Sequence, residues 1–150
     1  MKVGYAYIPE SEGFVAKATG KEMRVKFKDC VEICAAIRGM KAIKAREYLQ
    51  SVIDGSALIP IKKAKKLGPH KPGMKPSGRR PVKAVRAVLN VLNSAVSNAE
   101  FRGLDVDSCM VVSALAQRGR KLRRVKPKGR YALYAVPLTT VQIVLEEISE

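Results

Sequence analysis

The chain has 150 residues, 47% of them apolar, with a net charge of +16 and three cysteines. That length and apolar content suit one domain with its own core and exclude a wholly disordered basic tail. No apolar run reaches the ~20 residues that span a bilayer, the start Met1-Lys2-Val3-Gly4-Tyr5 has no signal-like stretch, and an odd cysteine count is a poor secreted framework. A reducing cytoplasm and no membrane partner are expected.

In chain order, residues 1–28 read as extended or looped, with Tyr5 and Tyr7 alternating around Ala6. Over 29–38, Cys30, Ile33, Cys34 and Ile37 recur at steps of three and four, which predicts a helix with Asp29 as N-cap and Gly39 as its stop. A second helix is predicted over about 42–53, its apolar side formed by Ala45, Tyr48, Leu49, Val52 and Ile53, with Gly55 behind it. The tight link through Gly39-Met40-Lys41 makes the two an αα-hairpin. Residues 56–80 then break the periodicity, and Gly, Pro and Lys dominate 67–78, the composition of a loop. Pro81 suits the first turn of the longest helix, where Val85, Val88, Leu89, Leu92, Ala95, Val96 and Ala99 form one stripe and Gly103 ends it. Residues 108–117 and 131–146 carry strand-like composition on either side of a basic segment, so a long antiparallel hairpin is expected. From residue 110 to a tip near 124 it would extend roughly 45 Å at ~3.3 Å per residue, further than a small domain can bury. The expected fold is α+β: three helices on a small antiparallel sheet, one domain over 1–150, with a basic loop at about 56–80 and a protruding arm at about 109–144.

The charge is concentrated. Residues 61–80 carry eight Lys/Arg and no acid, residues 118–130 again eight and none, and the rest of the chain is neutral in sum. Two uncompensated cationic extensions on a neutral globule call for a polyanion. The candidates are Lys62, Lys63, Lys65, Lys66, Lys71, Lys75, Arg79 and Arg80 in the loop, and Arg118, Arg120, Lys121, Arg123, Arg124, Lys126, Lys128 and Arg130 in the arm. Arginine presents a planar fork that meets phosphate oxygens two at a time, and lysine adds a mobile point charge. Folded RNA with narrow clefts suits an insinuating arm, whereas an architectural DNA-binding protein with basic β-arms obeys similar physics, so charge and shape alone leave both open. A solvated charge run is the bland alternative, and an anionic membrane surface fits Gly- and Pro-rich blocks poorly.

No catalytic constellation assembles. Cys30 and Cys34 lie one turn apart but lack a second ligand pair at metal-site spacing, so they read as core fillers; Cys109 and His70 do not complete a set. Asp105 and Asp107 read as turn and cap residues, and the Gly-rich loop lacks a phosphate-cradle motif. Neither a cofactor nor a metal is expected, and nothing points to an enzyme.

Three segments carry a family resemblance. Ser97-Asn98-Ala99-Glu100-Phe101-Arg102-Gly103-Leu104-Asp105-Val106-Asp107-Ser108 resembles the helix-to-strand junction of the universal large-subunit ribosomal protein twenty-two family, in its archaeal and eukaryotic branch. Arg24-Val25-Lys26-Phe27-Lys28, with Ala36-Ile37-Arg38-Gly39-Met40 and Lys44-Ala45-Arg46-Glu47-Tyr48-Leu49, is similar to its paired helices, and Lys121-Leu122-Arg123-Arg124 with Gly129-Arg130 resembles its hairpin tip. The short stretch after the last strand points to the archaeal side. The resemblance implies a structural protein of the large ribosomal subunit that binds ribosomal RNA and aids assembly. Its globule would sit near the mouth of the peptide exit tunnel and its hairpin would line the tunnel. The implied partners are large-subunit ribosomal RNA, neighbouring ribosomal proteins and the nascent peptide, with no homo-oligomer.

Overall fold

The structure, a computed structural model, describes residues 4–9, 13–63, 77–125 and 133–148. In chain order the elements are β1 (Val15–Met23), α1 (Phe27–Ile37), α2 (Ala42–Asp54), β2 (Ile59–Pro60), β3 (Gly78–Arg79), α3 (Val82–Phe101), β4 (Cys109–Val125) and β5 (Leu133–Glu147). β1, β5 and β4 form one antiparallel sheet with β5 in the centre, and β2 pairs with β3 in a separate two-stranded ribbon. The α+β architecture of three helices on a small antiparallel sheet is the one expected.

The apolar stripe of α3 explains where the core sits. Val85, Val88, Leu92, Ala95 and Ala99 are fully buried, and the helix lies across β1 and β5 with α1 and α2 against its sides. At α3's C-terminal end the Asn98 amide donates to the Lys17 carbonyl at 2.9 Å and the Arg102 guanidinium to that of Val15 at 2.6 Å. β1 is an edge strand, so those carbonyls face away from β5, and the two side chains tie the helix to that edge. The junction motif thus has a packing reason.

α1 buries Cys30, Ile33, Cys34 and Ile37 as the periodicity predicts, but it starts earlier. Lys26 is the N-cap, and Asp29 lies inside the first turn instead of capping it. A carboxylate there still meets the positive end of the helix dipole. Here it also faces Arg79, with Nη1 3.6 Å from Oδ1. The αα turn is stitched to β4: Gly39 N–H donates to the Val111 carbonyl, and Val111 N–H returns a bond to that of Met40, both at 2.9 Å. α2 ends at Gly55, whose φ of +102° is the left-handed cap that terminates many helices. A Cβ at this position would also run into the Arg80 guanidinium.

Two expectations shift. The N-terminal stretch supplies a full strand, β1, running against β5 from Val15 opposite Glu146 to Met23 opposite Thr139. The expected break over 56–80 is narrower, because Ile59 and Ile61 are buried and the β2–β3 ribbon closes its base. A short apolar run, Ile59-Pro60-Ile61, is enough to recruit it into the core.

Candidate nucleic-acid interface

β4 and β5 make the arm. Their register runs from Cys109 opposite Glu147 to Val125 opposite Leu133, with irregularities at Val111/Ser113 and Arg118/Lys121. The second is a bulge in which Gly119 and Arg120 together oppose Leu138. Gly119 fits there because a Cβ would stand 3.3 Å from the Leu138 carbonyl oxygen, tighter than side chains normally tolerate.

The arm changes character along its length. Val111, Ser113 and Ala114 are buried in the globule, whereas every residue from Gln117 to Arg124 is exposed or half-buried. Its base is held by the Thr139 hydroxyl donating to the Val25 carbonyl at 2.9 Å and by the Arg38 guanidinium donating to that of Ala114 at 2.7 Å. The outer half therefore has a ladder of backbone bonds and a surface of cations, but no core of its own.

Arg118, Arg120, Lys121, Arg123 and Arg124 are all exposed. Arg118 lies over the Phe27 ring, its guanidinium carbon 5.0 Å from the centroid. Arg120 meets Glu22 at 3.2 Å, with both side chains well solvated. Such an exposed pair is worth about 0–1 kcal/mol, so it offers little resistance to a phosphate that competes for Arg120. In the loop, Lys62, Lys63 and Arg80 are exposed, while Arg79 is half-buried and engaged with Asp29. Lys65, Lys66, Lys71, Lys75, Lys126, Lys128 and Arg130 lie outside the described residues.

One carboxylate organises the loop's entry. Glu32, only 3% exposed, accepts the Lys62 N–H on Oε2 at 2.9 Å and the Lys63 N–H on Oε1 at 2.8 Å. Asp29, one turn earlier on α1, meets Arg79 at the loop's exit. The two ends of the basic segment are thus pinned to adjacent positions on one helix face.

Four basic residues escaped the sequence reading: Arg24, Lys26, Lys28 and Lys83, all exposed. With Arg79, Arg118 and Arg124 they surround an open crevice of about 920 Å³ between the arm and the starts of α1 and α3. Acidic residues elsewhere in their segments cancel them in any block count, so only folding brings them together with the arm.

The cysteines and aspartates have structural surroundings among the described residues. Burial pushes the Cys30 and Cys34 thiols up to about 12, helped by the Asp29 carboxylate beside the first and by the two thiols' disfavouring each other's ionisation for the second. Cys109 is likewise raised by burial. Among the described residues no group of three or more His, Cys, Asp or Glu is placed to hold a metal ion. Asp105 performs turn duty: it accepts the Ser108 hydroxyl at 2.7 Å and the Asp107 N–H at 3.2 Å, and these bonds lower its pKa. His70 lies outside the described residues. No described helix is long and apolar enough to cross a membrane.

Comparison with known proteins follows the same line. The family model described as ribosomal protein L22p/L17e matches residues 18–146. A protein of Archaeoglobus fulgidus named large ribosomal subunit protein uL22 is 45% identical over 149 residues, covering 97% of this chain and 96% of its own. Proteins of the same name from Methanocella arvoryzae and Methanopyrus kandleri are 38% and 40% identical, covering 98% and 88% of this chain and 98% and 86% of their own. With matches of this extent, running from β1 to the end of β5, the chain belongs to the ribosomal protein L22p/L17e family.

Proposed function

We propose that the chain is a structural constituent of the large ribosomal subunit, not an enzyme, and that it binds large-subunit ribosomal RNA through its arm and its basic loop. The observation that carries this is the arm. Its outer half exposes Arg118, Arg120, Lys121, Arg123 and Arg124 with no core beneath them, on a chain whose relatives carry the name large ribosomal subunit protein. An extended ribbon with charge on both faces offers those charges to a polyanion that surrounds it.

The finer reading follows from the family resemblance. The globule sits at the subunit surface near the tunnel mouth, and the arm reaches inward through RNA to line the peptide exit tunnel. Lys62, Lys63, Lys65, Lys66, Lys71, Lys75, Arg79 and Arg80 meet RNA from the loop. Lys126, Lys128 and Arg130 add to the arm's RNA interface, and some side chains of the arm face the nascent peptide. The protein works in the cytoplasm as one copy per subunit, beside neighbouring ribosomal proteins, and its hold on RNA aids assembly. Arg79 contributes less to RNA binding than its neighbours, because Asp29 already engages it.

The test reverses two exposed charges on the arm. Arg123→Glu with Arg124→Glu should weaken binding to large-subunit RNA and lower the log–log salt slope by about 0.7 for each phosphate no longer neutralised. Incorporation into subunits should fall with it. The melting temperature should hold, since exposed substitutions away from the core cost within about 0.5 kcal/mol. Unchanged incorporation would remove the arm from the RNA interface.

A further inference from the structure

The crevice at the base of the arm is not a continuation of the phosphate-binding ribbon, because its floor is apolar. Val82 from α3, with the cross-strand pair Leu122 and Val136 and the adjoining Pro137 from the arm, forms that floor. Around the rim stand seven Lys/Arg, with Asp29 the one acid among the described residues that line it. The Phe27 ring forms one wall, with the Arg118 guanidinium 5.0 Å above it. α1 and α3 both begin at this crevice, and neither has a side-chain cap, so their first-turn N–H groups add partial positive charge.

We propose that this crevice takes one unstacked nucleotide of the bound RNA, its base on the apolar floor and its flanking phosphates on the cationic rim. The inference rests on the RNA-binding reading above and adds the manner of recognition. A volume of about 920 Å³ lies within the roughly 300–1,000 Å³ of sites that enclose small ligands and is too small for a duplex. RNA is read where bases are splayed out and stacked on aromatic rings or guanidinium planes, and Phe27 and Arg118 bring both kinds of plane to this crevice. A rim of cations on several sides suits a ligand carrying a charge at every repeat, which a phosphodiester chain does. An acidic peptide from a neighbouring protein would satisfy the charges but leave those planes unused.

The test places a probe on the floor. Val136 is 37% exposed, so Val136→Cys introduces a reachable thiol, while Cys30, Cys34 and Cys109 are buried and escape labelling. The full-length variant, carrying a short photoreactive azide at that position, is assembled into large subunits in place of the native chain and irradiated. One dominant cross-link to a single unpaired nucleotide is expected. Cross-links spread along the RNA, a cross-link to a protein, or none would overturn the proposal. In parallel, Val136→Trp sets a bulky ring across part of the floor and leaves every rim cation in place. Its affinity for large-subunit RNA should drop by about tenfold or more, the size of one base–aromatic stack, with an unchanged salt slope. Wild-type affinity in that variant would also overturn the proposal. Failure of the wild-type chain to bind the RNA would instead strike the reading beneath it.

Discussion

Glu32 illustrates how one buried side chain sets the course of a long basic segment. Its two oxygens take the N–H groups of Lys62 and Lys63, bonds that are strong because the acceptor is charged. Glu32→Ala should cost about 1.5–3 kcal/mol in urea unfolding, the range for hydrogen bonds to charged groups. Glu32→Gln keeps the volume but turns an NH2 toward one of the two donors, so it should recover no more than half. The cysteines make a second residue-scale case. Their thiols are held neutral in the fold up to about 12, against an ordinary value of 9.0. Between those values the unfolded chain has released protons that the folded chain still holds, so stability falls as pH rises through that window. Both thiols contribute to that loss. Melting curves from pH 8 to 11 should show this loss, and Cys30→Ala with Cys34→Ala should flatten it. Neither effect is legible in the sequence. Asp29 reads as a cap because its partner Arg79 is fifty residues away along the chain, and no local pattern reports Glu32's two backbone partners.

Helices are the easiest elements to read, since α1, α2 and α3 each repeat apolar residues at steps of three and four and stop at glycines. β1 is read from the sequence only as extended or looped chain, for a physical reason. Its buried positions are Val15, Ala16 and Ala18, and two alanines give a weak strand signal that only pairing with β5 makes decisive. The arm is legible in outline, and its strands run further than composition suggests, because arginines and lysines in β4 pair as readily as the apolar residues nearer the core. Stability along this element should be graded. In the free chain, amides opposite each other near Ala114 and Ile143 are backed by the core, whereas those between Lys121 and Arg124 carry exposed or half-buried side chains. Hydrogen exchange should therefore be faster in the outer half and slow once RNA is bound. Equal protection along the whole arm in the free chain would show that the outer half is stabilised by something other than a polyanion.

At the scale of the molecule, the division of labour follows charge. The neutral globule buries its apolar residues around α3, while the described ends of one cationic block, Lys62, Lys63 and Arg79, are held by α1 and the described part of the other belongs to β4. The part of the interface that can be read directly is the contiguous part. The crevice cations Arg24, Lys26, Lys28 and Lys83 become visible only when α1, α3 and the arm are brought together. The central claim is that this chain is an integral component of the large ribosomal subunit. Sucrose-gradient sedimentation of the tagged chain from a native lysate, after a high-salt wash, tests it most directly. Casual electrostatic binders wash off, because affinity falls with a log–log salt slope of about 0.7 for each phosphate neutralised. Stoichiometric co-migration with the large subunit after the wash is the expected result. Migration at the top of the gradient, or with chromosomal DNA, would contradict it.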